Sequence, residues 1–569
     1  MAVAGCAALS PLAGQTPPPG AANALNQAAE QAQRQQQDRN QQQFDKDRQS
    51  AQPPSTLVVP AAPLQRITGS TEVRRHIREL RIEGATLMQA HFKAQLETDY
   101  TDRDMSVRDL EQLLADITAY YVRRGYVTAR AYVLTQDLST GILIIKVVEG
   151  RIERLGGESW AHNVFPTKPG DLLNLRDLEQ GIDNLNRLSS HHATMNLVPG
   201  SAAGETDVAV ADPTTKFWHI SLSDDNTGQS NTGKNQGAVG LILDSPLGLD
   251  DQLSLNYRRA VPYRPGTQAS DAGTASYIVP WGYALFTFGA SLSNYALAFN
   301  APSGSPLPFD GDSRSLFVRT DWVLYRGQVD RLTLSDTLTW KGSRNYLLGN
   351  LIDVTSRELT TLDVDLSYAT TWKGAVINAT IGGTGGLPWF GALRDALGLP
   401  DYAARAEYMK WTGTLSYYRA FRFEGINLSI NSTLTGQQSN HVLYGTEQIT
   451  VGGIYAVRGF DRTTLAGDSG YVWRNDLSFP LSFAGPWKGR FGALSLRPYV
   501  GADLGEAFSS ITGLPGYEGP GGTLAGVTLG SAIVLGEFNG ELFYAKSVEH
   551  PAAMIYEAGH LYFRVNYTF

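Results

Sequence analysis

The chain of 569 residues carries 47 lysines and arginines against 55 aspartates and glutamates, a net charge of -8 that offers nucleic acid no basic face. Only 18% of residues are charged and 59 are glycine, which suits extended β-structure better than an ordinary soluble domain. The single cysteine, Cys6, excludes an internal disulfide and a thiolate zinc cluster, and no apolar run reaches the roughly 20 residues of a membrane-spanning helix, so a bilayer could be crossed only by a closed barrel.

Residues 1–20 read as a signal-peptide remnant: a short apolar stretch with small residues before Gln15, but no basic leader, which suggests a truncated start. The box Val3–Cys6 also fits a lipoprotein cleavage site. Residues 21–48 are built almost wholly from helix formers with a thin apolar stripe, which fits either a solvated glutamine-rich tail or a polar helix inside a wet channel. Residues 49–75, with four prolines between 51 and 63, read as a semi-extended linker.

Two α+β modules follow. In the first, residues 76–150, "HIRELRIEG" alternates as a strand, 85–97 repeats apolar residues at helical spacing, and 106–125 is a stronger helix. Ser106 caps that helix, Leu110, Leu113, Leu114, Ile117 and Tyr121 form one face, and Gly125 ends it. Two strands close the module. The second, residues 151–213, repeats the pattern around an amphipathic helix at 175–190. The stretches "RRGYVTARAYVLTQDLSTGILIIKVVEGRIERL" and "DLEQGIDNLNRLSS" resemble polypeptide-transport-associated (POTRA) domains of two-partner secretion transporters.

From Phe217 to Phe569 apolar or aromatic side chains stand at every second position, with Asn, Ser, Thr, Arg and Asp between them. Repeated over about 350 residues, at roughly 22 per strand and its turn, this dyad pattern predicts a transmembrane antiparallel β-barrel of about 16 strands. The last strand places Leu561, Phe563, Val565, Tyr567 and Phe569 on one face and Arg564, Asn566 and Thr568 on the other. It resembles the C-terminal signature by which the barrel-assembly machinery recognises outer-membrane barrels.

"YAVRGF", residues 455–460, sets a guanidinium among apolar neighbours. Val457, Arg458, Gly459 and Phe460 resemble the tip motif of the long sixth extracellular loop in the POTRA-plus-barrel superfamily, here about residues 441–470. That resemblance implies that the loop folds back into the lumen and that Arg458 meets an aspartate on the inner wall, which "RPYVGADLGEAF" places at Asp503. A guanidinium in a confined site wants such a fork-shaped carboxylate partner.

Three enzyme-like strings carry no chemistry. "GDSG" at 467–470 lacks a histidine and aspartate in a protease context. "GQSNTGKN" at 228–235 ends on Asn235 where a phosphate loop needs Ser or Thr, and it lies between strands. His191 and His192 are adjacent, cannot chelate one metal from a strand, and read as surface residues.

Taken together, the chain resembles the two-partner secretion transporters of the haemolysin and filamentous-haemagglutinin type. The resemblance implies a plug helix at 21–48, an outer-membrane barrel in a Gram-negative cell and periplasmic POTRA domains. Its partners would be a secreted exoprotein bearing a two-partner secretion domain, outer-membrane lipid and the barrel-assembly machinery, with no enzymatic activity, cofactor, metal or nucleic acid. A barrel-assembly insertase of the same superfamily and a diffusion porin are the rival readings; the first usually has more modules, the second none.

Overall fold

A computed structural model describes residues 74–569 except 157–162, 301–305, 462, 484–492, 510–520, 553 and 555. The expected signal remnant 1–20, plug helix 21–48 and all of the linker but its last two residues lie outside the described residues.

The first module contains β1 (Arg75–Ile77), β2 (Glu79–Glu83), α1 (Ala90–Tyr100), β3 (Arg103–Met105), α2 (Val107–Arg123), β4 (Arg130–Val133) and β5 (Ile142–Val148). β2 pairs in parallel with β5, which pairs antiparallel with β4, and α2 buries Leu110, Leu113, Leu114, Ile117 and Tyr121 against them. Ser106 and Asp109 form a reciprocal capping box at the start of α2. Two boundaries differ from the periodicity. The first strand breaks at Arg78, because Arg78 N and Glu79 N both donate to Gly141 O, and the freed β1 pairs with β3. α1 begins late because the Glu149 carboxylate ties Leu87 N (2.8 Å) and the Thr86 hydroxyl into a turn.

The second module has β6 (Arg151–Gly156), α3 (Leu175–Asn186), β7 (Thr194–Pro199) and β8 (Glu205–Ala211), with sheet order β6-β8-β7. Leu178, Ile182 and Leu185 of α3 pack on Ile152, Val164 and Val208.

The remaining chain closes into an antiparallel barrel of sixteen strands. They are β9 (Trp218–Asp225), β10 (Gln236–Asp244), β11 (Gln252–Ala260), β12 (Gln268–Trp281), β13 (Ala284–Asn300), β14 (Pro306–Arg326), β15 (Asp330–Leu347), β16 (Arg357–Trp372), β17 (Ala375–Leu387), β18 (Met409–Phe423), β19 (Ile426–Ser439), β20 (Ser469–Ser478), β21 (Leu494–Phe508), β22 (Gly522–Leu535), β23 (Phe538–Glu549) and β24 (His560–Thr568). Short segments at Asn350–Leu351 and Leu481–Phe483 extend neighbouring strands.

Alternation sets the two faces. On β16, Val364, Leu366 and Tyr368 are exposed outward while Asp363 and Asp365 turn inward, as a wall between lipid and water requires. Trp218, Trp281 and Trp372 mark the strand ends nearest the second module, the interfacial level of such a wall. β24 pairs with β9 from Arg564↔Asp225 to Thr568↔Ser221 and closes the cylinder. The Asn226 side chain prolongs that seam, donating to Leu561 O (2.9 Å) and accepting from Phe563 N (2.7 Å). No sheet edge is then left along this seam to recruit another strand.

Candidate functional site

The loop between β19 and β20, residues 440–468, is the sixth on the side of the barrel away from the two modules, and its tip lies inside the lumen. Val457 and Phe460 are buried with Val451 and Leu465 of the loop and with Val472, Ala507 and Leu524 of β20, β21 and β22, so the tip packs an apolar core against the wall. Arg458 is 3% exposed. Its Nε donates to Asp503 Oδ2 at 2.6 Å, its Nη2 to Asp503 Oδ1 at 2.7 Å, and its backbone N to Asp503 Oδ2 at 3.0 Å. Nη2 also donates to Asp476 Oδ1 at 2.7 Å. Asp476 and Asp503 sit on the adjacent strands β20 and β21, so one guanidinium joins the tip to two staves. Fork geometry with both carboxylate oxygens engaged is the strong form of this contact.

Gly459 has φ +105°, and a Cβ there would stand 2.5 Å from Lys546 C and Ser547 N of β23. A Cβ on Gly526 would meet the Arg458 carbonyl oxygen at 1.9 Å. Backbone touches backbone at this point, which no other residue type permits.

A second anchor holds the opposite limb of the loop. Glu447 is 3% exposed and accepts from Lys341 Nζ (2.6 Å), Tyr408 Oη (2.5 Å) and Lys410 Nζ (3.5 Å). Lys341 belongs to β15 and Lys410 to β18, so this anchor lies on a different arc of the wall from Asp503. A third comes from the eighth loop, where Glu557 accepts from the backbone N of Asp461 (2.9 Å) and of Thr463 (3.1 Å). Cavities of about 1070 Å³ and 760 Å³ flank the tip, sharing Tyr455, Arg474 and Asp476 in their walls. The loop thus partitions a polar bore.

The second module is docked to the other mouth of the barrel through α3 and the turns that flank it. Arg326, 3% exposed in its side chain, donates from Nη1 to Gln180 Oε1 (3.0 Å) and pairs through Nη2 with Asp183 (2.6 Å), with Glu179 3.6 Å from Nε. Asn184 Nδ2 donates to Gly282 O (2.9 Å), Asn163 Nδ2 to Pro280 O (2.6 Å), Arg187 Nη2 to Asp250 O (2.7 Å), and the Tyr283 hydroxyl to Asp177. Burial raises the Asp177 carboxyl above its ordinary range, and the Tyr283 bond partly offsets it. Burial lowers Arg187 to about 10, opposed by Asp244, Asp250 and Asp251, so it remains cationic at neutral pH.

Comparison with known proteins fits this arrangement. Residues 204–533 match the family described as haemolysin secretion/activation protein ShlB/FhaC/HecB, residues 76–150 the ShlB-type POTRA domain, and residues 159–199 a POTRA domain. The chain belongs to the ShlB/FhaC/HecB family. It is 31% identical to the outer membrane transporter CdiB of Dickeya dadantii over 409 residues, 71% of this chain and 72% of that one. It is 30% identical to the hemolysin transporter protein ShlB of Serratia marcescens over 451 residues, 79% and 78% of the two chains. The structure of CdiB from Escherichia coli superposes with a TM-score of 0.82 at 27% identity, over 98% of this chain and 100% of that one. This ShlB/FhaC/HecB member is therefore an outer-membrane transporter of the two-partner secretion type with its POTRA modules in the periplasm, and the sixth loop is extracellular in origin.

The other residues singled out in the sequence fall as follows. Phe563, Val565, Tyr567 and Phe569 share the outer face of β24 with Leu561. "GDSG" forms the exit of the sixth loop, where Asp468, 1% exposed, accepts from Leu443 N (2.8 Å). "GQSNTGKN" lies in the first loop, and Lys234 reaches Asp461 at 3.5 Å. His191 corrects the expectation of two surface histidines. It is 5% exposed, 2.6 Å from Asp212 and 3.9 Å from Asp250, because the turn after α3 is pressed onto the barrel turn 245–251. Only His192 is exposed.

Sequence reasoning missed Asp476, Glu447, Lys341, Lys410, Arg326 and Glu557. Lys341 and Lys410 were open to notice, since each occupies a lumen-facing position of an alternating strand. Their shared partner was not, because it lies 106 and 37 residues away along the chain.

Proposed function

We propose that this transporter receives an unfolded exoprotein of the haemolysin or adhesin type on its two POTRA modules and passes it through the barrel. Capture uses strand addition to an exposed POTRA edge, where main-chain hydrogen bonds supply affinity without demanding much sequence. The bore conducts the extended chain once residues 21–48 have left it and the tip of the sixth loop has moved aside, and refolding outside makes return unfavourable. Val457, Arg458, Gly459 and Phe460 act as a latch on Asp503, holding the loop in its resting place. Phe563, Val565, Tyr567 and Phe569 address the barrel to the assembly machinery.

The observation that carries the reading is the buried fork between Arg458 and Asp503: a lumen spanned by a loop on a polar latch fits a gated conduit. The test is co-expression with an exoprotein carrying a two-partner secretion domain, encoded beside this gene. Export of that exoprotein that depends on this chain is the expected result. Normal export in its absence, together with defective assembly of other barrels, would instead establish an insertase.

A further inference from the structure

The outer wall of the barrel is not uniform. Strand register places outward side chains in horizontal rows, and between β11 and β15 these rows change character with height. One row runs Leu253, Tyr277, Phe288, Val318, Leu338. The next row toward the outside runs Leu255, Ala275, Ala290, Leu316, Trp340. The two alanines hollow the wall between larger neighbours. Two grooves result, of about 670 Å³ and about 400 Å³, and both have Ala275 and Ala290 in their floors.

Above the hollow charge enters on β14, where Arg314 follows Leu292 in its row, and the row beyond is polar throughout. Arg314 stands one row up, and Asp312 opposite Arg344 one row further. A cavity of about 520 Å³ contains Arg314, Arg344, Asp312 and Glu358, and Trp340 borders both it and the larger groove. Arg314 lies 3.5 Å from Asp312 and remains 46% exposed. The fifth extracellular loop roofs the larger groove. Phe390, 67% exposed at φ +56°, holds a left-handed conformation that is costly for a bulky side chain. The loop is pinned there by Thr360 Oγ1 donating to Trp389 O (3.0 Å) and Leu393 N donating to Glu358 O (2.8 Å).

We propose that this surface is a binding site for one phosphorylated, multiply acylated glycolipid of the outer leaflet, of the lipid A class. Two acyl chains occupy the paired grooves, the larger beneath Phe390. The phosphate meets Arg314 and Arg344, whose planar donors suit its oxygens, while Asp312 and Glu358 seat the divalent counter-ion such a phosphate brings. The position decides the source. The site lies on the lipid-facing band, in continuity with an established lipid contact, and its polar rows and roof are at the extracellular edge, where the outer-leaflet headgroup lies.

The test uses the full chain, purified and placed in nanodiscs, with lipid A and phosphatidylethanolamine titrated separately and retained lipid counted by native mass spectrometry. The wild type is expected to hold one lipid A with at least about tenfold preference over phosphatidylethanolamine. Ala290→Trp, which fills the shared floor from the lipid side, and the pair Arg314→Glu with Arg344→Glu should each lower that preference about tenfold. Leu529→Trp, on a distant part of the outer wall, should leave it unchanged. Heat-modifiable migration in gels verifies closure of each barrel, and should Ala290→Trp fail to close, the arginine pair decides alone. Equal retention of both lipids by the wild type, or variants that match it, would overturn the site and leave ordinary annular contact.

Discussion

Arg458 and Asp503 meet as a two-pronged fork, Nε to Oδ2 at 2.6 Å and Nη2 to Oδ1 at 2.7 Å, with neither side chain more than 3% exposed. Removing one member of such a buried pair strands the other charge, at a cost of about 3 to 5 kcal/mol. The sixteen-strand ladder does not depend on that bond, so Arg458→Ala should yield a closed, heat-modifiable barrel with lowered export of its exoprotein. Arg458→Lys should rescue little, because an ammonium cannot span both oxygens and also reach Asp476. Unchanged secretion by the alanine variant would end the latch role of this residue.

Glu447 gives a second, independent handle. It is buried between Lys341 and Lys410, and Glu447→Gln would leave two lysines without their counter-charge. The expected outcome is a loosened loop limb, read as more frequent opening of single channels in planar bilayers. Doubling this change with Arg458→Ala should open the pore more than either alone, since the anchors lie on different arcs of the wall. Opening events as rare as in the wild type would show that Glu447 only packs the loop.

Much of this is legible in the sequence, and for physical reasons. A wall between lipid and water must alternate, so the strands announced themselves over hundreds of residues, and the helix at 107–123 declared its cap and its buried face within one stretch. The tip motif pointed to Asp503 only through family resemblance. Asp476 carried no signal of its own, because nothing local says which of several inward carboxylates an incoming guanidinium will reach. Arg326, at the foot of β14, meets Gln180 146 residues earlier. Contacts made by tertiary docking leave no periodic trace.

That docking makes a prediction of its own. Arg326 is the barrel's buried cation facing Glu179 and Asp183 of α3, where Glu179 is also held by Arg176 of the same helix at 2.5 Å, so Arg326→Glu sets a third carboxylate against them and should push the module off the barrel. A spin-label pair on exposed His192 and a periplasmic barrel turn should report a broadened, longer distance distribution, and secretion should fall. A distance distribution matching the wild type would mean that the side chains of Asn163, Asn184 and Arg187, donating to barrel carbonyls, suffice to hold the module.

Residues 21–48 carry the last prediction. As a helix they would be about 42 Å long, enough to thread a membrane barrel, and their glutamine-rich surface suits a wet bore better than an apolar core. A plug of this kind must bind weakly enough to leave, and a thin apolar stripe keeps its departure inexpensive. Deleting residues 21–48 while keeping the linker should therefore raise single-channel conductance in planar bilayers and leave the Arg458 latch intact. Combined with Arg458→Ala, the deletion should raise it further, because the sixth loop is a separate obstruction. Conductance equal to that of the full chain would show that this segment does not occupy the pore.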